Sequence, residues 1–448
     1  MLPLARILIV TAWYYPFIHP RAHRWTSLAE YWAAQGHEVD VLTSRRRDCP
    51  RTSVLNGVRV WRTGFDSLKE WYYFWNGDVR GRGRVGASVR RPGFRTRLLG
   101  WVYARVWKNL YFPDDAALWY FPARRLMFRL LRQKKADVLV TVSLPFTGQV
   151  LGRAAKRVFP NLHWLADMGD PFSIQAHPLN NSWLYGTWSR RLEQEVLVKS
   201  DACVVTHSAA RAAYLEHFGA MAEKLAVAPP LLHPLPQRSE TVSGSKKPAT
   251  QLGYFGALYA PVRRPEAFLQ LFEHCRAFRP EGQNPLEAHF YGDIFPEFYA
   301  QLTAVKGVFL HGLQSRQVVR AAMQEMDVLV NIGNTTNYQL PSKMVDYLAA
   351  GKPVVHLSFV EPDPFVIAWG NAPGLLVVRV PPGGFSPPEI QRCLDFFENL
   401  PECLTGETLR AYVQPFTLEA VAKKYTALIP ALQVVESSAA VAESPGHR

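Results

Sequence analysis

"DVLVNIGNTTNYQLPSKMVDYLAAGKPVV", residues 327–355, reads as a strand, a polar loop, a helix and a second strand. Residues 327–333 read as one of the strands of the second half's alternation. Pro341-Ser342 is a helix start signal, because proline at the first helical position gives up an N–H that has no partner there anyway. The residue out of place is Lys343. The positive end of the helix dipole favours an acid in the first turn, not a cation. A lysine beside free backbone N–H groups makes physical sense if an anion from outside lands on them.

Outward from that unit, the same alternation fills the chain. Strands are expected at 251–259, 286–293, 307–312 and 352–358 in the second half, and at 6–12, 38–43, 136–143, 162–167 and 201–208 in the first. Helical pattern separates them; in "RWTSLAEYWAAQGHEVDVLTS", Leu28, Tyr31 and Trp32 share one face and Gly36 ends the helix. Strands interleaved with helices of this length give mainly parallel sheets covered on both faces. Residues 233–250 are polar, rich in Pro and Ser and without apolar period, which marks a linker. The expected organisation is a first domain over 1–235, a linker at 236–250, a second domain over 251–412, a helix at 413–432 packing back toward the first domain, and a disordered tail at 433–448. The fold class is α/β: two doubly wound Rossmann-like domains facing a cleft, with ligands beyond the carboxyl ends of the strands.

The 448 residues, 48% hydrophobic, exceed one ordinary domain. Five scattered cysteines without a Cys-x-x-Cys pair suit a reducing compartment and argue against a disulfide framework or a zinc site. The N-terminal apolar run lacks a small-residue cleavage site and reads as a first strand rather than a signal peptide. No stretch approaches the ~18–20 apolar residues of a membrane span. The expected location is the cytoplasm, with or without peripheral attachment to the inner face of the cell membrane. The formal net charge is +14, and nine Lys or Arg with no acid lie between Arg80 and Lys108. From Leu98 onward, Leu99, Val102, Tyr103, Val106 and Leu110 fall on one helical face and Arg97, Trp101, Arg105 and Lys108 on another. That pattern suits an anionic membrane surface. The one short "RGRGR" run has no nucleic-acid module around it, and no nucleic-acid partner is expected.

Taken in order, "YYP", "PRAHRW", "LAEYWAAQGHEVDVLT", "WLADMGDPF", "YFGALYAPVRRPEAFL", "VFLHGLQSRQVVRAAMQEMDVLVNIG" and "QLPSKMVDYLAAGKPVV" resemble the glycosyltransferase family 4 type of GT-B enzyme, nearest to its bacterial surface-polysaccharide branch. The resemblance covers roughly residues 5–430. It implies retaining transfer of a sugar from a nucleotide-sugar to an acceptor hydroxyl, with a saccharide or lipid-linked acceptor and no cofactor. It implies no metal either, and no Asp-x-Asp pair occurs in the chain.

The resemblance also implies roles. The N–H groups of Ser342, Lys343 and Met344, with the Lys343 ammonium, would hold a diphosphate. Asp346 stands, with a shorter acid, where the family's second glutamate reaches the ribose. The first glutamate's place is held by Tyr338, beside Asn337 and Gln339, and amides there could take over its sugar contacts. Arg263 and Arg264 follow the first strand of the second domain, where the family keeps a basic residue on the diphosphate; which of the two faces it stays open. Gly256 just before them, and Gly333-Asn334 at a strand end, complete the donor side. Without a metal, Lys343 and Arg264 or Arg263 must neutralise the leaving diphosphate. In the first domain the family's glycine-rich loop is replaced by "PFIHPRAHRW": Arg21 reaching phosphates and Arg24 bracing the loop are the alternatives. Asp167 and Asp170 end a strand, and Asp170 is placed to orient or deprotonate the acceptor hydroxyl. Gly169 stands where the family often has a larger polar or basic residue. Two rivals remain: a nucleotide-sugar 2-epimerase of the same fold, and a non-catalytic partner that has kept the fold.

Overall fold

The apolar runs become the inner strands of two sheets. The computed structural model describes residues 5–17, 19–47, 49–68, 70–71, 106–175, 178–232, 248–260, 262–279, 282–337, 340 and 343–432. Most of the basic 80–108 cluster, nearly all of the expected linker and the whole expected tail lie outside the described residues. Contacts divide the chain into two units, residues 1–230 with 418–448, and residues 231–417.

The first unit holds β1 (Arg6–Val10), β2 (Glu38–Thr43), β3 (Thr52–Leu55), β4 (Val58–Arg62), β5 (Val138–Val142), β6 (His163–Gly169), β7 (Ala202–Val205) and β8 (Leu225–Val227). Its helices are α1 (Pro20–Ala34), α2 (Tyr120–Lys134), α3 (Thr147–Val158), α4 (Ser182–Lys199) and α5 (Ser208–Phe218). The strand order is β3-β4-β2-β1-β5-β6-β7-β8. All neighbours are parallel except β3 and β4. The order reverses at β1, which has β2 on one side and β5 on the other, and such reversals leave a gap at the carboxyl ends of the strands. Trp25, Trp32, Trp119 and Trp164 are fully buried in this unit.

The β3–β4 hairpin was not among the expected strands, although its turn, Asn56-Gly57, is a strong hairpin signal. Both residues have positive φ, 47° and 81°, as a type I′ turn demands. Two further short strands, β8 and the last strand of the second sheet, were also not expected.

The second unit holds β9 (Thr250–Phe255), β10 (Leu286–Tyr291), β11 (Val308–Gly312), β12 (Val328–Ile332), β13 (Val354–Ser358) and β14 (Leu375–Arg379). Its helices are α6 (Glu266–Ala277), α7 (Pro296–Ala304), α8 (Arg316–Glu325), α9 (Lys343–Ala350), α10 (Pro364–Trp369), α11 (Pro387–Glu398) and α12 (Gly406–Val413). The order β11-β10-β9-β12-β13-β14 is parallel throughout and reverses at β9. The expected strand at 251–259 stops at Phe255. Tyr259 and Arg263 then exchange two backbone hydrogen bonds, 2.9 and 3.0 Å, in a tight turn. No helix among the described residues is long and apolar enough to cross a membrane.

The last helix, α13 (Leu418–Thr426), belongs to the first unit. Its anchor is the Tyr425 hydroxyl, which donates to Asp167 Oδ2 at 2.9 Å and accepts from Arg24 at 2.8 Å. Asp167 is completely buried, so each lone pair that loses a donor costs free energy. Replacing Tyr425 by Phe should therefore lower unfolding free energy by about 1–3 kcal/mol, read from denaturant midpoints at unchanged slope. An unchanged midpoint would show that the hydroxyl anchors nothing.

Candidate active site

In the second unit, the reversal at β9 brings the loops after β9 and β12 side by side. Gly256 begins the first loop: its N–H donates to the Tyr291 carbonyl at 2.9 Å, and a Cβ there would sit 2.6 Å from the Tyr254 hydroxyl oxygen. Gly333 begins the second: its N–H donates to the Leu357 carbonyl at 2.9 Å, and a Cβ would sit 2.5 Å from that carbonyl oxygen. Gly256 is thus accounted for by the Tyr254 side chain against it and Gly333 by close backbone packing.

The tight turn separates the two adjacent arginines. Arg264 turns outward, with its guanidinium on the Glu266 carboxylate at 2.6 Å and more than half exposed. Arg263 turns inward and donates to Asn334 Oδ1 at 2.7 Å. Of the pair held open, with Arg264 the one named for catalysis, Arg263 is the one aimed inward, whereas Arg264 is already paired with a carboxylate. Arg263 Nε is buried and has no hydrogen-bond partner among the described residues.

Lys343 opens α9 at the same carboxyl edge. Burial, then the neighbouring Arg263 charge, push its ammonium down to about 8; Asp346, one turn on in the same helix, opposes them. The helix is held by Tyr347, whose hydroxyl accepts from the Phe255 N–H at 2.8 Å and donates to the Val330 carbonyl at 3.1 Å, joining α9 to both β9 and β12. Tyr254 lies beside Arg263; its phenol is pushed up by burial and drawn back by that charge. Tyr338, Gln339 and Ser342 lie outside the described residues.

Beneath Gly333-Asn334 runs a buried polar chain that the sequence reading did not single out. His356 meets Asn331 Nδ2 at 2.7 Å through Nδ1 and Asp363 Oδ2 at 2.9 Å through Nε2. The Ser358 hydroxyl donates to the same Asp363 oxygen at 2.6 Å, and the Phe365 N–H donates to the other at 2.8 Å. His356 and its partners hold Asp363 below the usual carboxylate range despite its burial. A strand histidine seven residues before an Asp-Pro helix start was the signal available.

In the first unit, His19 caps α1 by accepting from the Arg21 N–H, and Pro20 takes the first helical position. Arg21 then reaches under the sheet end, with Nη2 on Asp167 Oδ1 at 2.7 Å. Trp25 Nε1 and the Tyr425 hydroxyl occupy the other carboxylate oxygen, both at 2.9 Å. Arg24 donates to the carbonyls of Ala228 and Pro229 and to Tyr425. Of the alternatives held open for this loop, Arg24 has the bracing geometry. Asp167 and Arg24, expected on the phosphate or acceptor side, are both spent inside this network.

Arg21 is different, since its Nη1 is buried with no hydrogen-bond partner among the described residues. Gly169 makes room for it: φ is +64°, and a Cβ would lie 2.6 Å from Arg21 Nη2. The guanidinium fills the space beside residue 169. Asp170 follows immediately, and burial raises its carboxyl while Arg21 lowers it. The adjoining segment is fixed by the buried Glu193, whose carboxylate accepts from the Phe172 and Ser173 N–H groups at 2.8 Å and from the Tyr214 hydroxyl at 2.6 Å. Arg21 and Asp170 thus come together, and the second unit brings together Arg263, Asn334, Lys343 and Asp346.

Comparison with known proteins follows this geometry. Residues 22–233 match the model of Glycosyltransferase Family 4. No curated protein matches the sequence. Among solved structures, sucrose-phosphate synthase from Thermosynechococcus elongatus is similar over 96% of this chain and 100% of its own, at 15% identity and a TM-score of 0.62. WaaG, a glycosyltransferase involved in lipopolysaccharide biosynthesis, is similar over 95% of this chain and 99% of its own, at 14% identity and 0.53. TarM from S. aureus, solved with fondaparinux, α-GlcNAc-glycerol and UDP, is similar over 95% of this chain and 100% of its own, at 11% identity and 0.56. Residues 22–233 are thus a Glycosyltransferase Family 4 domain by their match, and the chain as a whole has the fold of GT-B glycosyltransferases.

Proposed function

We propose that the second unit binds a nucleotide-sugar by its diphosphate and that the enzyme transfers the sugar, with retention, to a saccharide or lipid-linked acceptor hydroxyl. The observation that carries this is charge. Arg263 and Lys343 converge on one strand edge, Arg263 still has an unpartnered buried N–H, and Asp346 is the one acid acting on Lys343 there. Two half-buried cations facing one carboxylate leave a positive excess, which a diphosphate would neutralise together with the first N–H groups of α9. Departure of the nucleoside diphosphate concentrates negative charge on the same oxygens, so the groups that bind it also stabilise the transition state. On this reading they take the role that a divalent cation fills elsewhere, and turnover is metal-independent. Asp170, with Arg21 beside it, orients the acceptor hydroxyl. TarM crystallised with UDP and a glycosylated glycerol supports a nucleotide donor and hydroxyl acceptor by analogy of fold. The basic run between Arg80 and Lys108 would hold the enzyme to anionic lipid, where a lipid-linked acceptor is found.

Transfer should be assayed with UDP-, GDP- and ADP-sugars, in EDTA and in magnesium. Lys343→Ala should cost roughly 2–4 kcal/mol in kcat/KM with the fold unchanged, and EDTA should leave the wild-type rate intact. Near-normal kcat/KM in that variant, or loss in EDTA restored by magnesium, would contradict the assignment.

The depressed lysine adds a pH test. Free Lys343 gives up its proton near 8, and a bound diphosphate, already fully charged above about pH 6, raises that value again. Affinity for the nucleoside diphosphate should be flat between about pH 6 and 8 and fall as pH rises through 8, with protons taken up on binding there. Titration calorimetry in buffers of different ionisation enthalpy reads the uptake directly. Lys343→Arg should keep binding and lose the pH dependence; a wild-type profile that stays level to pH 9.5 would remove Lys343 from the site.

For the membrane, sedimentation with liposomes should show binding to anionic but not neutral lipid, reversed by salt over a Debye length of ~8–10 Å. Changing Arg90, Arg91, Arg95 and Arg97 to Glu should release the protein. Equal binding to neutral liposomes would leave the cluster a solvated face.

A further inference from the structure

We propose that an open pocket between the β3–β4 hairpin and the start of α2 binds an anionic saccharide, one carrying carboxylate or phosphate groups. The pocket has a volume of about 670 Å³, inside the roughly 300–1,000 Å³ of small-molecule sites. Arg51, Arg62, Arg125 and Arg129 line it together with Trp61 and Phe121, and no acidic residue does.

Four guanidinium groups around one cavity repel each other, and none of them has a carboxylate partner among the described residues. Arg62 is the most costly of them. It is 5% exposed and donates only to neutral acceptors: the Ser53 hydroxyl at 2.8 Å, the Tyr15 carbonyl at 3.2 Å and the Pro50 carbonyl at 3.3 Å. Burial pushes its guanidinium down. A buried cation held by neutral dipoles alone gains most from an anion brought to it. Arg125 and Arg129 stand one helical turn apart on α2, a spacing at which like charges destabilise a helix. Arg51 in turn lowers Arg45.

The aromatic residues define what else the ligand carries. Trp61 Nε1 donates to Asp40 Oδ1 at 2.6 Å, which fixes the indole plane. Phe121 is 68% exposed at the rim. Apolar ring faces beside planar, bidentate donors suit a sugar, whose C–H face packs on an aromatic ring while its charged substituents meet the forks of arginine.

Position makes the pocket relevant to the reaction. β4 runs parallel to β2, with Arg62 opposite Thr43 at the last residue of each strand. The pocket therefore lies at the carboxyl edge of the first sheet, the edge at which the loop after β1 and Asp170 also lie. The role as an acceptor subsite rests on the glycosyl-transfer reading; the binding itself does not.

The test is calorimetry on the full chain with tetragalacturonate and glucose 1,6-bisphosphate as anionic sugars, maltotetraose as a neutral one and citrate as an anion without a sugar. At low salt at least one anionic sugar should bind, and maltotetraose and citrate should bind at least about tenfold more weakly. Arg125→Glu with Arg129→Glu should reduce the anionic-sugar affinity about tenfold or more, with an unchanged Tm and unchanged UDP, GDP or ADP binding in the same sample. Both positions are exposed, so the fold tolerates the change. The proposal falls if neither anionic sugar binds, if the double variant binds as wild type, or if citrate or maltotetraose binds as well. A sample that binds anionic sugar but no nucleotide overturns the donor reading alone.

Discussion

The Asp167 carboxylate is the constraint on which the first unit depends. It is completely buried near the end of a central parallel strand, so its lone pairs need donors. Arg21 and Trp25 supply two from one helix, and Tyr425 supplies a third from more than 250 residues later in the chain. Those bonds fix the entry of α1, the end of β6 and the docking of α13 in one place. They also determine which residues remain for chemistry. Arg24 is consumed in holding Tyr425, whereas Arg21 spends one end of its fork on Asp167 and keeps Nη1 unmatched beside Asp170.

The second unit solves the complementary problem. Its strand ends carry two cations against the one carboxylate of Asp346. Arg263 donates to an amide oxygen and lies beside Tyr254, and Lys343 has burial and a like charge working against its proton. Such an arrangement persists because the scaffold over-determines it: Tyr347 ties the helix to two strands, and the Tyr259–Arg263 turn aims one arginine inward while releasing its neighbour to Glu266. On the proposed reading an anion would relieve this like-charge repulsion, which would link ligand binding to stability.

Much of this was legible in the sequence because parallel sheets write themselves as uninterrupted apolar runs. All ten expected strands are present, and the motif at 327–355 gave the right elements around Lys343. Of the four strands not expected, only β14, with Leu375, Leu376, Val377 and Val378, carries such a run. β3 and β4 alternate at a sheet edge, with only Asn56-Gly57 to mark them, and β8 is three residues long. Within the candidate sites, residue type could be read but not direction. Adjacent Arg263 and Arg264 are chemically identical, and only the backbone turn decides which is paired with Glu266. Likewise Asp167 and Asp170 look equivalent in "LADMGDPF". The partners that bury one of them, Trp25 and Tyr425, come from distant parts of the chain. Gly169 shows the same limit: the sequence shows a small residue where a larger polar one is usual, and the structure shows the Arg21 guanidinium in the vacated space.

Arginine distribution completes the argument. A net charge of +14 gives solubility and long-range attraction for anions, but it does not by itself locate a site. Location comes from which cations lack a counter-charge. Arg46 is answered by Asp66 and Glu70, Arg59 by Glu38 and Asp40, and Arg153 by Glu195. Arg21 is half answered. Arg263 and Lys343 share the one carboxylate of Asp346, the four arginines around the hairpin pocket have none among the described residues, and each cluster lies at the carboxyl edge of its own sheet. In doubly wound sheets that edge is where loops are free to take on chemistry without disturbing the strands beneath. These two clusters of like charge therefore lie where the fold can best tolerate the cost of holding them.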